Sequence, residues 1–576
     1  MSDVAARLER SSGFDETRLG RTTSSMIWSA WADALGFISE ITDTRGLRAR
    51  TRGRELTETM AWTRRVGGKF GVQIELPRGC YSDDTQLRLA SSRAISNHGF
   101  DIEAFAKIEL TVWPSYALGG GRASKAAAAG MVKSHATWFA NFYPNWTQSG
   151  GNGAAMRIQP HVYAARDLEG QSYLGDVIRN AIVTHGHPRA LVGAVIHALT
   201  LGFALSRGRV PQRGDWATLL HIAGTAVQIF EEDVELASYW RPRWESETGA
   251  NFHDSWRDSV DECRLMLART EELVDHIRQT AHPGSSVENS EYRELTECLG
   301  LSEPSTRGSA TATVIAATIL AAALPEDPHT AAVIASLAVG TDTDTIATMA
   351  AALIGAATAS PPPKGVQDLD YLKNEADRLT RIGMGHPAPK FCYPDILRWT
   401  PPSSQLEVVG YADGRPAIAG LGWLSFISEP NKAKDAAWTW ARTSFGPTVL
   451  IKHRLTLLEL PSGNLPRVRS KAEDRPVLTQ VRPAPRFEEE QPRLFESEDS
   501  GTVRNESARK LSRSSSVKNQ GKEALDLDNL LAVVQTHGFE NEAIGEAIRR
   551  LVEEGTLEQM AVFIGALRAQ IRKRQR

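Results

Sequence analysis

The feature that most constrains this chain is a helical period, broken only by short Gly, Pro and Asn punctuation, that runs from residue 24 to about residue 382. Almost no stretch inside it shows sustained two-residue alternation. Apolar residues that recur every three or four positions make one stripe on a helix and no coherent face on a strand. The predicted fold class is therefore all-α. LVGAVIHALTLGFAL (191–205), segments 216–237 and 263–278, and the Ala-rich pair 310–324 and 331–339 carry the pattern most strongly. Their many small side chains imply several helices packed closely round a central core. The most apolar run, 310–324, stops at Pro325, short of the roughly 20 residues a membrane span needs, and reads as a buried helix.

The rest of the 576 residues divides by composition. Residues 1–23 form an N-terminal tail with charges interleaved among apolar residues, not a secretory signal. The helical domain is expected over 24–387. Residues 388–454 change character: LEVVGYADGRPAIAGLGWLSFI has a DG turn between β-prone runs, a hairpin signal, so a small β-containing appendage is expected. Residues 455–525, rich in Pro, Ser, Glu and Arg, read as a disordered linker. Helical period returns over 526–576 as three short amphipathic segments, a helical module suited to a protein partner. Its basic end, RAQIRKRQR, reads as a solvated helix terminus, with nucleic acid left open as a partner.

Charge and cysteine content exclude several classes. A net charge of −3 gives no global attraction to nucleic acid or anionic lipid, and no membrane partner is expected. Four scattered cysteines with no CxxC pair suggest neither a zinc knuckle nor a disulfide framework, and point to a reducing, cytoplasmic setting.

Two short stretches carry the chemistry. YSDDTQLRLA sets Ser82, Asp83 and Asp84 before a helix whose stripe starts at Leu87 and Ala90; VGTDTDTIATMAAALIGAA sets Asp342 and Asp344 before another. Residues two apart do not share a helix face, so both acids of the second pair reach one target only from the loop and first turn. Gly340 permits the tight backbone, and Thr345 can begin the helix. Either loop alone is an ordinary capped helix. Together they offer oxygen ligands only, which suit Mg²⁺ or Mn²⁺ rather than zinc, and four carboxylates suit two ions.

A third segment, WADALGFISE, places Asp33 and Glu40 around Gly36. With GNGAAMRIQPHVYA (151–164) and THGHPRAL (184–191), these stretches resemble the ADP-ribosylglycohydrolase family, which includes the dinitrogenase reductase-activating glycohydrolase. The resemblance covers about 360 residues in matching order. It differs at Ala32, where the family prefers Gly, at Ile38 for Pro, at Ser82 for Thr and at Thr341 for Gly.

The resemblance implies an all-α fold with a binuclear Mg²⁺ or Mn²⁺ centre that hydrolyses the bond between ADP-ribose and an acceptor. It implies that Ser82, Asp83, Asp84, Asp342, Asp344 and Thr345 ligate metal. Glu40 would ligate or position substrate, Ser149, Gly151, Asn152 and Gly153 would line the ADP-ribose pocket, and His185 would lie beside it. GGGRASK (119–125) falls where the family has another glycine-rich substrate loop, a weak signal that a simple linker would give too. The bond breaks through an oxocarbenium-like state. Asp83 or Glu40 would take the water proton or assist the leaving group, a choice the sequence leaves open. An ADP-ribosylated protein is the expected partner, with arginine the leading acceptor. Serine-linked, nucleic-acid-linked or small-molecule ADP-ribose, and a non-catalytic ADP-ribose reader, are the alternatives. His135, His187, His197 and His221 read as structural.

Overall fold

The computed structural model describes residues 15–68, 71–466, 526–555 and residues 559, 560, 563, 564 and 567. Two compact units divide it: residues 1–476 and residues 477–576. The expected linker and most of the third C-terminal helix lie outside the described residues.

The first unit is mainly helical, and its centre is one helix pair. Helix α1 (Glu16–Ser39) starts at Asp15, whose carboxylate accepts from Arg18 N at 3.1 Å and so satisfies one free N–H of the first turn. From Ser24 to Ser39 it is buried on all sides. Its neighbours are α2 (Asp83–Arg93), α3 (Pro188–Arg207), α5 (Pro328–Leu337), α6 (Thr343–Thr358) and α7 (Leu369–Gly383), and α4 (Ala310–Ala323) packs on α3 and α6. Helix α6 lies along α1, and small residues set that approach. A Cβ on Gly36 would stand 2.5 Å from Asp344 Cα, and one on Gly355 would stand 3.0 Å from Ser24 carbonyl atoms. Helix α3 is long and apolar enough to cross a membrane, but most of it is buried among the other helices, as a core helix is.

Antiparallel strands accompany the helices. An antiparallel hairpin of β1 (Trp62–Val66) and β2 (Val72–Leu76) interrupts the predicted helical run. Further on, β3 (Val409–Ala412), β4 (Arg415–Ile418), β5 (Gly422–Phe426), β6 (Asn431–Ala433), β7 (Ala436–Thr443) and β8 (Thr448–Arg454) form one antiparallel sheet in the order β8–β7–β5–β4–β3, with β6 on β7. The expected DG turn joins β3 to β4, with Asp413 at φ 51° and Gly414 at φ 71°, the left-handed pair a two-residue hairpin needs. The sheet shares the helices' hydrophobic core. Trp399 Nε1 donates to Lys107 O at 2.7 Å, and Tyr393 Oη donates to Glu109 Oε1 at 2.7 Å. That same Glu109 holds the buried Arg93 by two parallel bonds of 2.7 and 2.8 Å, so the region joining helices to sheet is tied by a fully paired charge network.

In the second unit two helices, Leu527–Thr536 and Asn541–Glu554, close a small apolar cluster around Val534 and Leu551.

Candidate active site

A cleft of about 1040 Å³ opens between the ends of α1, α2, α4 and α6. That volume suits a nucleotide-sized ligand. Its acidic floor is built by helix capping. Ser82 caps α2, its Oγ accepting from Asp84 N at 3.2 Å, so Asp83 and Asp84 fall in its first turn rather than before it. Asp342 precedes α6, which begins at Thr343 rather than Thr345, two residues earlier than the sequence suggested; Asp344 therefore lies inside the first turn. The second hydroxyl still reaches the first pair: Thr345 Oγ1 donates to Asp84 Oδ2 at 3.3 Å.

Asp33 explains how the diacid is held. Fully buried in α1, it accepts from Ser82 N at 2.8 Å and Thr85 N at 2.9 Å, capping the start of α2 from outside. Behind it, buried Arg88 donates to Ser29 Oγ, Gln159 Oε1 and Thr85 Oγ1, placing a positive charge under the acids. Neither residue was assigned a role from sequence, although Asp33 stood in the motif.

The acids are crowded against one another. Burial, followed by the Asp33 carboxylate, pushes Asp83 up to about 6. Burial with Asp33, Asp83 and Asp342 holds Asp84 well above the usual carboxylate range, and burial with Glu40, Asp84 and Asp342 does the same to Asp344. Glu40, at the end of α1, is raised to about 7 by burial, against the lowering pull of Arg64. Asp84 Oδ1 is buried with no hydrogen-bond partner. Unpaired buried carboxylate oxygens facing like charges are what a cation would satisfy. Among the described residues no three His, Cys, Asp or Glu side chains converge as an ion cage. The donor set, all oxygen, fits Mg²⁺ or Mn²⁺.

One wall of the cleft is the loop over residues 149–153. Asn152 donates from Nδ2 to Asp342 Oδ2 at 3.0 Å and to Thr313 Oγ1 at 3.1 Å, linking the loop to the acids and to α4. Its backbone N donates to Gly308 O at 2.9 Å, and Gly151 bridges to Ser309. Ser149 Oγ lies 2.9 Å from Tyr143 Oη. A Cβ on Gly153 would stand 3.2 Å from His185 Cε1, so the histidine packs on that glycine. His185 is anchored through Nδ1 to Thr184 Oγ1 at 2.7 Å, and burial, with Arg157 nearby, lowers it to about 3, leaving a neutral ring. Arg157, from the MRIQP stretch, is the loop's fastening: buried, it donates to Gly153 O, Asn180 O and Thr184 Oγ1 at 2.7–2.8 Å. His187, read as structural, caps α3 by accepting from Arg189 N and also lines the cleft.

The glycine run at 119–125 is part of the site and not a plain linker. Gly119, at φ +154°, passes so close that a Cβ would overlap Asp83 Oδ1. Lys125 from the same stretch lowers the Asp83 carboxyl. Gly119→Ala should therefore cut turnover by about tenfold or more while leaving the fold intact, because the half-exposed loop can shift but only by moving Asp83 or opening the cleft wall. An unchanged rate in a steady-state assay would contradict this.

Paired helix starts thus present hydroxyls and carboxylates to one cleft on a mainly helical scaffold. The chain belongs to the ADP-ribosylglycohydrolase family, whose model matches residues 15–385. It is thus a glycosidic-bond hydrolase acting on ADP-ribose linkages, of a family that generally depends on divalent metal. A solved structure described as an ADP-ribosylglycohydrolase-related protein complex is similar at 21% identity over 64% of this chain and 100% of its own, with a TM-score of 0.40. Among curated proteins no match is found.

Proposed function

We propose that the protein removes ADP-ribose from a modified protein side chain, with divalent ions held by Ser82, Asp83, Asp84, Asp342, Asp344 and Thr345. The observation that carries this reading is the set of buried, mutually repelling carboxylates with an orphaned Asp84 Oδ1 in a nucleotide-sized cleft. Ions bound there supply Lewis acidity, charge against the four acids and an anchor for ribose hydroxyls. Residues 149–153 and His185 hold the nucleotide, the neutral imidazole offering a face or an N–H rather than a charge. Asn152 orients Asp342 and the substrate loop together.

Glu40, raised to about 7, is the group best matched to moving a proton at neutral pH. It protonates the departing acceptor atom or takes the proton of the attacking water, and Asp83, pushed up to about 6, is the other candidate for the water. Arginine is the acceptor the family resemblance puts first; a hydroxyl-linked acceptor is the second reading, and Arg64, a cation lining the cleft 3.5 Å from Glu40, favours it.

The test is release of ADP-ribose from arginine- and serine-modified proteins, with Mg²⁺, with chelator, and with Asp342→Asn. Release is expected only with metal and should fall by at least about 100-fold in the variant. Metal-independent release, or an Asp342→Asn enzyme at full rate, would exclude the reading.

A further inference from the structure

We propose that the arginine run over residues 45–54, beside the rim of the cleft, is a docking surface for the phosphate backbone of a nucleic acid duplex. Such docking lies beyond the hydrolase reading, since it concerns where a polyanion rests and not what is cleaved. TRGLRARTRGR (44–54) carries five arginines, Arg45, Arg48, Arg50, Arg52 and Arg54, with neither a lysine nor an acid among them. The whole chain has a net charge of −3, so this positive field is local.

The fold draws these charges together. A short helix, Thr44–Arg50, ends at Thr51, whose backbone N donates to Leu47 O at 2.9 Å. The chain then reverses through Arg52 at φ 54° and Gly53 at φ 74°, closed by a bond of 2.8 Å from Gly53 N to Arg48 O. That turn brings the backbone around Arg52 and Arg54 back against the helix end that carries Arg48. Arg45, Arg48, Arg52 and Arg54 are exposed, and among the described residues none of them has a carboxylate partner. Acids flank the run without entering it. Asp43 caps the helix start by accepting from Gly46 N at 2.6 Å, Glu55 follows the run, and Glu58 pairs with Arg78 at 3.0 Å.

Arg50 joins the run to the cleft. It donates to Ile38 O and Glu40 O at 2.9 and 2.7 Å, and its guanidinium lies 5.0 Å from the Trp62 ring centroid. Arg64, which lines the cleft, lies 4.4 Å from the Phe37 ring, and the Phe37 and Trp62 rings are 5.3 Å apart. Both guanidiniums therefore rest on one aromatic pair, and a polyanion held by the exposed arginines lies next to Glu40 and the cleft rim.

The side chains favour one kind of polyanion. An acidic protein or an anionic membrane draws much of its affinity from apolar side chains, and between residues 41 and 66, all of them described, Ile41 is the one large apolar side chain exposed. A single strand gains from exposed rings on which bases stack, whereas Phe37 and Trp62 are buried beneath their arginines. A duplex asks only for cations against its phosphates, and a guanidinium meets phosphate with two parallel N–H donors.

The experiment follows binding of the full chain to a short fluorescent DNA duplex by anisotropy as salt is raised. With the exposed arginines engaged, log K should fall against log salt with a slope of roughly −3 to −4, from a Kd on the order of 10 μM at low salt. A triple variant, Arg45→Gln with Arg48→Gln and Arg52→Asn, should weaken binding by at least about tenfold and flatten the slope to about −1. Asparagine is chosen at Arg52 because it tolerates the left-handed backbone. Melting temperature and affinity for free ADP-ribose should stay near wild type, which separates docking from misfolding. The assignment falls if wild type does not bind the duplex, if the folded triple variant binds as wild type does, or if binding is lost instead on neutralising Arg572, Lys573 and Arg574 at the C-terminal end. It falls equally if polyglutamate, phosphatidylserine vesicles or a single strand binds more tightly than the duplex. Binding is read without turnover, so failure here leaves the hydrolase reading standing.

Discussion

Asp84→Asn should make the metal-free protein more stable and at the same time remove its response to Mg²⁺. Asp84 is fully buried, its carboxyl is held well above the ordinary range by burial and by Asp33, Asp83 and Asp342, and one oxygen has no partner. A carboxyl raised in the fold costs nothing while both states are protonated, below about pH 4, and costs more as pH climbs above that value. The amide keeps the shape, still accepts from Ser82 and Thr345 through its oxygen, and carries no charge. The gain without metal should be larger at pH 8 than at pH 5. The loss on the other side is greater: metal affinity should drop by at least about 100-fold, and turnover with it. Thermal melts with and without Mg²⁺ decide the matter. A variant that melts lower than wild type in chelator, or that Mg²⁺ still stabilises as it does wild type, would sink the idea that this cluster stores repulsion for a cation.

Much of that cluster was readable because it uses local rules. A hydroxyl, two acids and an apolar stripe make a helix start, and the structure has α2 capped by Ser82 and Asp342 preceding α6. The DG turn was equally local, since only residues that tolerate positive φ fit it. What sequence did not yield is long-range. Asp33 serves α2 from 49 residues away, and Arg157 fastens a loop by donating to Thr184. No spacing announces such pairs. The hairpin that carries Arg64 did leave a trace: VQIEL alternates apolar and polar residues after the glycines of VGGKFG, but five residues of period two were outweighed by the long helical run around them. Gly119 was visible only as part of a glycine run. Its φ of +154° and its approach to Asp83 exist only once residues 83 and 119 are folded together.

The approach of α1 to α6 makes Gly36 the second position with a large expected effect. Most glycines near the cleft face a movable side chain, whereas an added Cβ on Gly36 would meet backbone: Asp344 Cα and Thr343 O at 2.5 Å and Asp344 N at 2.6 Å. Backbone atoms at the start of a buried helix cannot rotate away, so Gly36→Ala must push α1 and α6 apart. The bond from Thr343 Oγ1 to Gly36 O, 2.9 Å long, would stretch with them. Overpacking of this kind should cost about 3 kcal/mol. It should also disable the site, since Asp33 and Glu40 ride on α1 while Asp342 and Asp344 ride on α6, and small separations of reacting groups are expensive in rate. Gly214→Ala is the matched control, because a Cβ there meets nothing within 4 Å, its backbone is helical and it lies outside the cleft lining. The expected pattern is a large fall in melting temperature and loss of turnover for Gly36→Ala, with Gly214→Ala close to wild type in both. A Gly36→Ala protein of full stability would mean that α1 and α6 are not held at this spacing, and the shared origin of fold and acidic site would have to be abandoned.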